Sequence, residues 1–414
     1  MTNTNKISPL APSAFPEMPP IAGVQLATHT AGFKSNATPD LFCAALAEGT
    51  TVAATFTRSK CPSAPVQWCQ NILHQNRAAR AVVCNSGNAN AFTGTAGSTS
   101  TQLMAEVVAR RLGVDTQRVY IASTGVIGEP LPDEILRQQL PELVNNLDVA
   151  TTDAWHAAAT AISTTDTFPK ASSARIESTA AHIAGIAKGS GMIAPDMATM
   201  LAFVFTDLAV APDILQRCLS KSVDASFNRI TVDSDTSTSD SVLLFATGEQ
   251  IDDEIASPED ARLPEFQTAL DQVLTDLAQQ IVRDGEGATK FVQVNVSGAA
   301  SNQAAHKIAR SIAESPLVST ALAAQDANWG RIVMAVGKAG EKANRDRLAI
   351  WIGEELVACE GAKYSGYSEA RATQYLQGDE IDLRVDVGVG AGCATVWTCD
   401  LTHGYIEINA GYRT

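Results

Sequence analysis

The stretch 188–203 reads KGSGMIAPDMATMLAF and lies near the middle of the 414-residue sequence. It begins with a lysine, and two glycines then flank Ser190, where they permit backbone conformations that other residues avoid. A proline follows, and Thr199 then precedes an apolar run, 200–205, that predicts a buried strand. A hydroxyl group at the mouth of a buried strand can be held rigidly as a nucleophile. The same pattern is also typical of an ordinary loop-to-strand junction.

Outward from this stretch, strand and helix patterns are mixed along the whole sequence. Apolar runs such as 181–187 and 241–246 predict strands, and amphipathic runs such as 98–112 and 212–227 predict helices. We find no strict internal repeat and no flexible linker between domains. These patterns predict an α/β (mixed α+β) protein.

Four further segments give local predictions. The first 20 residues are polar and proline-rich, which predicts a loose arm. Residues 39–47 predict a short helix, and residues 405–409 predict a strand in a strand-rich tail. The Ser/Thr/Asp-rich run 228–240 is typical of a solvated loop.

The composition excludes several classes of partner. With 45% hydrophobic and 18% charged residues, the chain has the composition of a soluble globular protein. The net charge of -15, with no basic patch to neutralise phosphates, predicts that it binds neither nucleic acid nor an anionic membrane surface. No apolar run is long enough to cross a bilayer, and residues 1–20 lack the apolar core of a signal peptide. We therefore expect a cytoplasmic protein.

The eight cysteines and six histidines show no metal-binding pattern. No two cysteines form a CxxC pair, and no two histidines have the spacing of a zinc site. We expect no bound metal and no disulfide framework, with the cysteines acting as small buried apolar residues.

Two other segments carry candidate site residues. A predicted strand over 119–123 ends at Thr124 and Gly125, and a hydroxyl group with a backbone N–H at a strand end can form an oxyanion hole. The Thr-Gly pair is also common turn chemistry. Glu286, between two glycines, can present a carboxylate to a ligand or be an exposed charge in a turn. The Asn/Gly-rich run 85–94 is either a surface turn or a loop that lines a cleft.

From Lys188 to Leu201 the chain closely resembles the ornithine acetyltransferase family of arginine biosynthesis. Further segments that look like those of the family occur in order over roughly residues 20–414: 56–66, 85–91, 123–128, 164–170, 231–240, 284–290, 328–332 and 397–403. Any one of these matching segments is weakly specific, but together they are highly specific.

The resemblance implies a two-lobed fold akin to that of a group of self-cleaving aminopeptidases. It also implies a precursor that cleaves itself between Ala198 and Thr199. The products would be an α chain of residues 1–198, the N-terminal lobe, and a β chain of residues 199–414, the C-terminal lobe. Two α and two β chains are expected to form a heterotetramer.

The implied chemistry is acetyl transfer from N-acetylornithine to Thr199 and then to glutamate. A threonine hydroxyl needs a nearby base, and the freed α-amino group, with a reference pKa of about 7.7–8.0, can serve as that base. Thr124 and Gly125 are implied to hold the oxyanion. No metal and no organic cofactor is expected. Some family members also accept acetyl-CoA as a co-substrate, and the resemblance leaves this point open.

The resemblance also assigns contacts with the substrate. We expect the Lys188 cation to pair with a substrate carboxylate and the Glu286 carboxylate to hold an ammonium group. Ser319 stands where family members often carry lysine, which puts in doubt any anion-binding role of that position. The implied substrate-binding residues are Thr164, Lys188, Thr199, Glu286, Asn409 and Thr414.

Three alternatives stay open. The first is a self-cleaving amidohydrolase or aminopeptidase, in which water takes the acyl group. The second is a phosphate- or nucleotide-binding protein that uses residues 188–191 as its phosphate loop, although a P-loop places lysine after its glycines and before a helix. The third is an inactive binding relative, which the intact set of Thr199, Thr124, Gly125 and Glu286 opposes.

Overall fold

A computed structural model describes residues 6–35, 37–194 and 200–411. These residues form a mixed α/β fold, which confirms the predicted class. In chain order the strands are β1 (Val24–His29), β2 (Leu41–Leu46), β3 (Thr51–Phe56), β4 (Ala81–Asn88), β5 (Val119–Val126), β6 (Asp148–Val149), β7 (Lys170–Ile176), β8 (Ala181–Lys188), β9 (Leu201–Val210), β10 (Ser241–Ile255), β11 (Phe291–Ala299), β12 (Ala349–Ile352), β13 (Glu355–Cys359), β14 (Ala362–Lys363), β15 (Glu380–Asp386) and β16 (Gly392–Cys399).

The helices lie between these strands, and within the described ranges none is both long and apolar enough to cross a membrane. In chain order they are α1 (Ala64–Gln75), α2 (Gly94–Leu112), α3 (Asp133–Asn145), α4 (Thr152–Ile162), α5 (Pro212–Ala225), α6 (Leu263–Arg283), α7 (Asn302–Ala313), α8 (Pro316–Ala323), α9 (Trp329–Lys338), α10 (Glu369–Leu376) and α11 (His403–Gly411).

The described strands form three sheets. Sheet A has the strand order β5-β4-β2-β1-β6, sheet B has the order β3-β10-β9-β8-β7, and sheet C has the order β14-β13-β12-β15-β11-β16. Sheet C has a core of its own, shared with α7, α8, α9 and α10. Sheets A and B pack face to face, and the functional cleft described below lies at one end of them.

The central strand β9 shows why these sheets pack together. Successive side chains of a strand point to opposite faces. Phe203 and Phe205 therefore face sheet A, where the rings of Phe203 and Phe42 lie 5.4 Å apart. Ala202 and Val204 face α5 and α6 on the other side. With α2 and α3 covering the outer face of sheet A, the order of layers is helix, sheet, sheet, helix. Because both faces of β9 are buried, its sequence is a nearly continuous apolar run.

The predicted boundary between residues 198 and 199 lies, along the sequence, between two neighbouring strands of sheet B. Strand β8 ends at Lys188 before this point, β9 begins at Leu201 after it, and the two strands pair antiparallel. Both halves of the sequence therefore contribute strands to one sheet, so the boundary does not coincide with a gap between layers. The cleavage itself stays a prediction.

Three local predictions were wrong. The predicted helix over 39–47 is strand β2, whose alternate side chains are buried in the cores on both faces of sheet A. The predicted strand over 405–409 is part of helix α11, and the three described sheets include none of these residues. The predicted loose arm is packed from Ser8 onward, because Leu10 and Met18 are buried and the Ser8 hydroxyl donates to the Arg283 carbonyl at 2.6 Å.

Candidate active site

A cleft of about 460 Å³ lies where β5 and β8 end and β10 begins. Of the predicted site residues, Ala198, Thr199 and Thr414 lie outside the described part of the chain, so their roles stay predictions. The other predicted site residues all line this one cleft: Thr124, Gly125, Thr164, Lys188, Glu286 and Asn409. Residues far apart in the sequence thus converge, although their proposed roles need a functional test.

Thr124 and Gly125 are held in place by the neighbouring strand. Strands β4 and β5 run parallel, with Gly87 opposite Gly125. Gly125 has φ +129°, and a Cβ atom added to it would lie 2.3 Å from the carbonyl carbon of Gly87. Only glycine fits there without moving the backbone. Thr124 is 3% exposed and its hydroxyl reaches the cleft, so the pair occupies a fixed position at the strand end.

Lys188 brings a buried cation to this strand end. It is the last residue of β8, it is 3% exposed, and its Nζ donates to Thr124 Oγ1 at 3.3 Å. Burial lowers the pKa of the Lys188 ammonium group, although the nearby Asp166 carboxylate opposes this shift. A cation in a site with little water exerts a strong field on any charge that develops beside Thr124.

Glu286 provides the opposite charge on another side of the cleft. Its carboxylate is largely buried, and Oε2 accepts a hydrogen bond of 2.7 Å from Asn409 Nδ2. A Cβ atom on Gly191 would lie 2.5 Å from the Glu286 carboxyl carbon, so this glycine leaves room for the carboxylate. Helix α11, which replaces the predicted strand, places Tyr405 one turn from Asn409, and both line the cleft.

A buried charge cluster behind the cleft was not predicted. Lys170 Nζ donates to Asp166 Oδ1 at 2.7 Å and to Asp284 Oδ2 at 2.5 Å, and the three side chains are almost completely buried. Asp166 in turn accepts the backbone N–H groups of Thr164 and Gly189, at 2.9 and 2.7 Å. Burial opposes ionisation of Asp166, but Lys170 and Lys188 outweigh it and hold its pKa below the ordinary value. The cluster joins the segments that carry Thr164, Lys188 and Glu286.

Replacing Lys170 by methionine is expected to lower the free energy of unfolding by about 3–5 kcal/mol, because two buried carboxylates lose their cation. Urea denaturation at one protein concentration measures this change. Arg175→Met is the matched control, since it removes an exposed ion pair with Glu177 and should change stability by less than about 1 kcal/mol. A Lys170→Met protein as stable as the control would show that the cluster does not hold the site together.

The Ser/Thr/Asp-rich run differs from its prediction as a solvated loop. We call residues 231–240 the 231–240 loop; it lines the cleft, and Thr231 and Asp240 are both fully buried. Burial raises the pKa of the Asp233 carboxyl to about 6 and that of Asp240 well above the ordinary value. Its polar composition did not indicate this burial, because some of its polar groups bind distant segments, as the Ser237 carbonyl does when it accepts the Thr57 hydroxyl at 2.7 Å.

Other features lie away from this cleft. A larger cavity of about 780 Å³ is found near the start of β8 and the end of β9, and it contains none of the predicted site residues. Ser319 lies on α8 and is not among the described residues that line the cleft. In the described ranges no three His, Cys, Asp or Glu side chains are grouped so as to hold a metal ion.

Comparison with known proteins identifies a family. The model of the ArgJ family matches residues 25–414. The arginine biosynthesis bifunctional protein ArgJ of Rhizobium meliloti (strain 1021) is 55% identical over 416 residues, which cover 99% of this chain and 100% of that protein. The protein of the same name from Brucella suis biovar 1 is 53% identical over 414 residues, and the match covers 99% of both chains.

Solved structures give partial matches. The crystal structure of the arginine biosynthesis bifunctional protein from Bacillus halodurans is 43% identical and superposes with a TM-score of 0.49, covering 51% of this chain and 98% of that chain.

Proposed function

The chain belongs to the ArgJ family, and we propose that it transfers the acetyl group of N-acetylornithine to glutamate through an acetyl ester on Thr199. Its relatives are named as bifunctional proteins of arginine biosynthesis, so we include acetyl-CoA as a second acetyl donor, for the synthesis of N-acetylglutamate. We propose no metal and no organic cofactor for either reaction.

We propose that the nucleophile is made by self-cleavage. The Thr199 hydroxyl oxygen bonds to the carbonyl carbon of Ala198, the carbon–nitrogen bond breaks, and the nitrogen takes the hydroxyl proton. Water then hydrolyses the ester, which leaves a carboxylate on Ala198 and a free α-amino group on Thr199. Pairing of β8 with β9 in sheet B supports continued association of the two chains after cleavage, and we propose a heterotetramer of two α and two β chains.

In the transfer reaction, the α-amino group takes the proton of the Thr199 hydroxyl as the oxygen attacks the acetyl carbonyl carbon. The carbon–nitrogen bond of N-acetylornithine breaks, and the departing ornithine nitrogen takes the proton. The amino nitrogen of glutamate then bonds to the acetyl carbon, the carbon–oxygen bond of the ester breaks, and the proton lost by that nitrogen passes through the α-amino group to the Thr199 oxygen. Negative charge develops on the acetyl oxygen in both steps, where Thr124 and Gly125 are proposed to stabilise it.

The contact between Lys188 and Thr124 supports this proposal most strongly. It puts a buried cation 3.3 Å from the hydroxyl of the proposed oxyanion residue, at the mouth of a cleft that also contains the Glu286 carboxylate. N-acetylornithine carries one carboxylate and one ammonium group, so a cleft with one buried cation and one largely buried anion matches it in charge. We propose that Lys188 pairs with the carboxylate and Glu286 with the ammonium group, with Thr164, Asn409 and Thr414 completing the substrate site.

Product analysis with and without glutamate tests the proposal. The purified protein is incubated with N-acetylornithine, and the expected result with glutamate is continuous formation of N-acetylglutamate and ornithine in equal amounts. Without glutamate, we expect ornithine release to stop once each Thr199 has been acetylated. Release of acetate and ornithine at the same rate with or without glutamate would contradict acetyl transfer. That result would favour the self-cleaving hydrolase.

A further inference from the structure

The 231–240 loop holds both described ends of the segment that contains the Ala198-Thr199 bond. On one side the described chain reaches Ala194, and on the other side it resumes at Met200. Two aspartates of the loop, the half-buried Asp233 and the fully buried Asp240, each bind one of these ends through backbone N–H groups. Neither carboxyl group has a role in the acetyl transfer described above.

Asp233 binds the N-terminal side with both oxygens. Oδ2 accepts the Met192 N–H at 2.6 Å, and Oδ1 accepts the Ile193 N–H at 2.8 Å. The loop also donates a hydrogen bond to this flank, from the Val232 N–H to the Ile193 carbonyl at 2.8 Å. Met192 has φ +57°, a backbone conformation that L-residues rarely adopt, so these hydrogen bonds fix an unfavourable turn.

Asp240 binds the C-terminal side. Its Oδ1 accepts the Met200 N–H at 3.0 Å, and the next residue, Ser241, donates its N–H to the Met200 carbonyl at 3.1 Å. Both backbone polar groups of Met200 are therefore held by adjacent residues. Asp240 is 0% exposed, and burial raises the pKa of its carboxyl although the Lys188 cation opposes this shift. The loop itself is anchored, because the Asp240 carbonyl accepts the Thr57 N–H at 3.0 Å.

We propose that Asp240 is a positioning residue for self-cleavage, acting through Met200, the residue that follows Thr199 in the sequence, while Asp233 holds Met192 and Ile193 on the opposite flank. The inference rests on the proposed self-cleavage and adds the residues that align it. A hydroxyl group attacks the carbonyl of the preceding residue efficiently only if the backbone is fixed close to the reactive geometry. A displacement of about 1 Å from that geometry can slow a reaction about 10²-fold.

Asp240→Ala tests this role, and Asp207→Ala is its matched control. Asp207 is also a buried aspartate, 3% exposed, whose Oδ1 accepts one backbone N–H, that of His182, at 2.8 Å. It lies on β9 at the end of sheet B away from the cleft. The rate at which the 43.5 kDa chain disappears is followed on denaturing gels, and circular dichroism melts compare the stability of the two variants.

We expect Asp240→Ala to cleave about 10²-fold more slowly than the wild type, and Asp207→Ala to cleave at the wild-type rate with a comparable loss of thermal stability. Asp240→Asn keeps an acceptor oxygen, and because burial already favours the neutral carboxyl at this position, it should restore cleavage. Equal slowing in Asp240→Ala and Asp207→Ala, or cleavage as slow in Asp240→Asn as in Asp240→Ala, would overturn the inference.

Asp233→Asn gives a second test if Asp240→Ala does not accumulate as a folded chain. It leaves one acceptor oxygen where two now bind the Met192 and Ile193 N–H groups, and we expect cleavage to slow about tenfold, as for the loss of one hydrogen bond. An unchanged rate would contradict the role of the loop. A wild-type chain that never cleaves would instead contradict the proposed function, so the two failures are distinguishable.

Discussion

Thr199→Ala is expected to remain a single chain of 43.5 kDa and to transfer no acetyl group. The substitution removes the hydroxyl oxygen that would attack the preceding carbonyl. Without cleavage the α-amino group, which is the proposed base, is never released. One substitution is therefore expected to abolish both self-cleavage and acetyl transfer. A denaturing gel of the purified variant measures cleavage, and product analysis for N-acetylglutamate measures acetyl transfer.

Thr199→Ser is the conservative control for this prediction. Serine keeps both the hydroxyl group and, after cleavage, the α-amino group, so we expect two chains and measurable transfer. Cleavage of the Thr199→Ala chain at the same bond would show that the nucleophile is another residue. A Thr199→Ser chain that is uncleaved yet fully active in acetyl transfer would show that the base is not the α-amino group.

Thr124→Val is expected to lower kcat by about 10²–10³-fold, the usual effect of removing one oxyanion donor. Valine has nearly the shape of threonine, so the buried strand end should keep its packing. Because the hydroxyl acts on charge that develops in the transition state, we expect KM for N-acetylornithine to change much less than kcat. Steady-state kinetics on fully cleaved protein measure both constants.

Thr236→Val makes the same change at an exposed residue that lines the same cleft, and its kcat should equal that of the wild type. Thr124→Ser, which keeps the hydroxyl group, should recover most of the lost rate. If Thr124→Val has a normal kcat and a raised KM, Thr124 binds the substrate and does not stabilise the oxyanion.

The sequence predicted elements well where apolar periodicity determines structure. The run that became β9 is apolar throughout because α-helices cover one of its faces and sheet A the other, and it was predicted as a strand. The same continuous pattern misled the prediction for β2, because a short alanine-containing run does not distinguish a buried helix from a buried strand. Helix α11 was missed because the neighbouring tail segments are strands.

The candidate site was predicted as a set of residues, but the contacts between them were not. Gly125 can be understood from the structure alone, since Gly87 on the adjacent strand leaves no space for a side chain. In the buried cluster, Asp284 pairs with Lys170, which lies 114 positions earlier in the sequence. Helix and strand periodicity concerns neighbouring residues, so it does not predict a contact between residues this far apart. The charged residues in the segments 164–170 and 284–290 were the available signal.

Mass spectrometry of the denatured protein, before and after incubation with N-acetylornithine in the absence of glutamate, tests the central claim most directly. We predict two fragments, one ending at Ala198 and one beginning at Thr199, with a single acetyl group gained only by the second and lost when glutamate is added. A single chain of 43.5 kDa, or an acetyl group on any residue other than Thr199, would contradict the proposed mechanism.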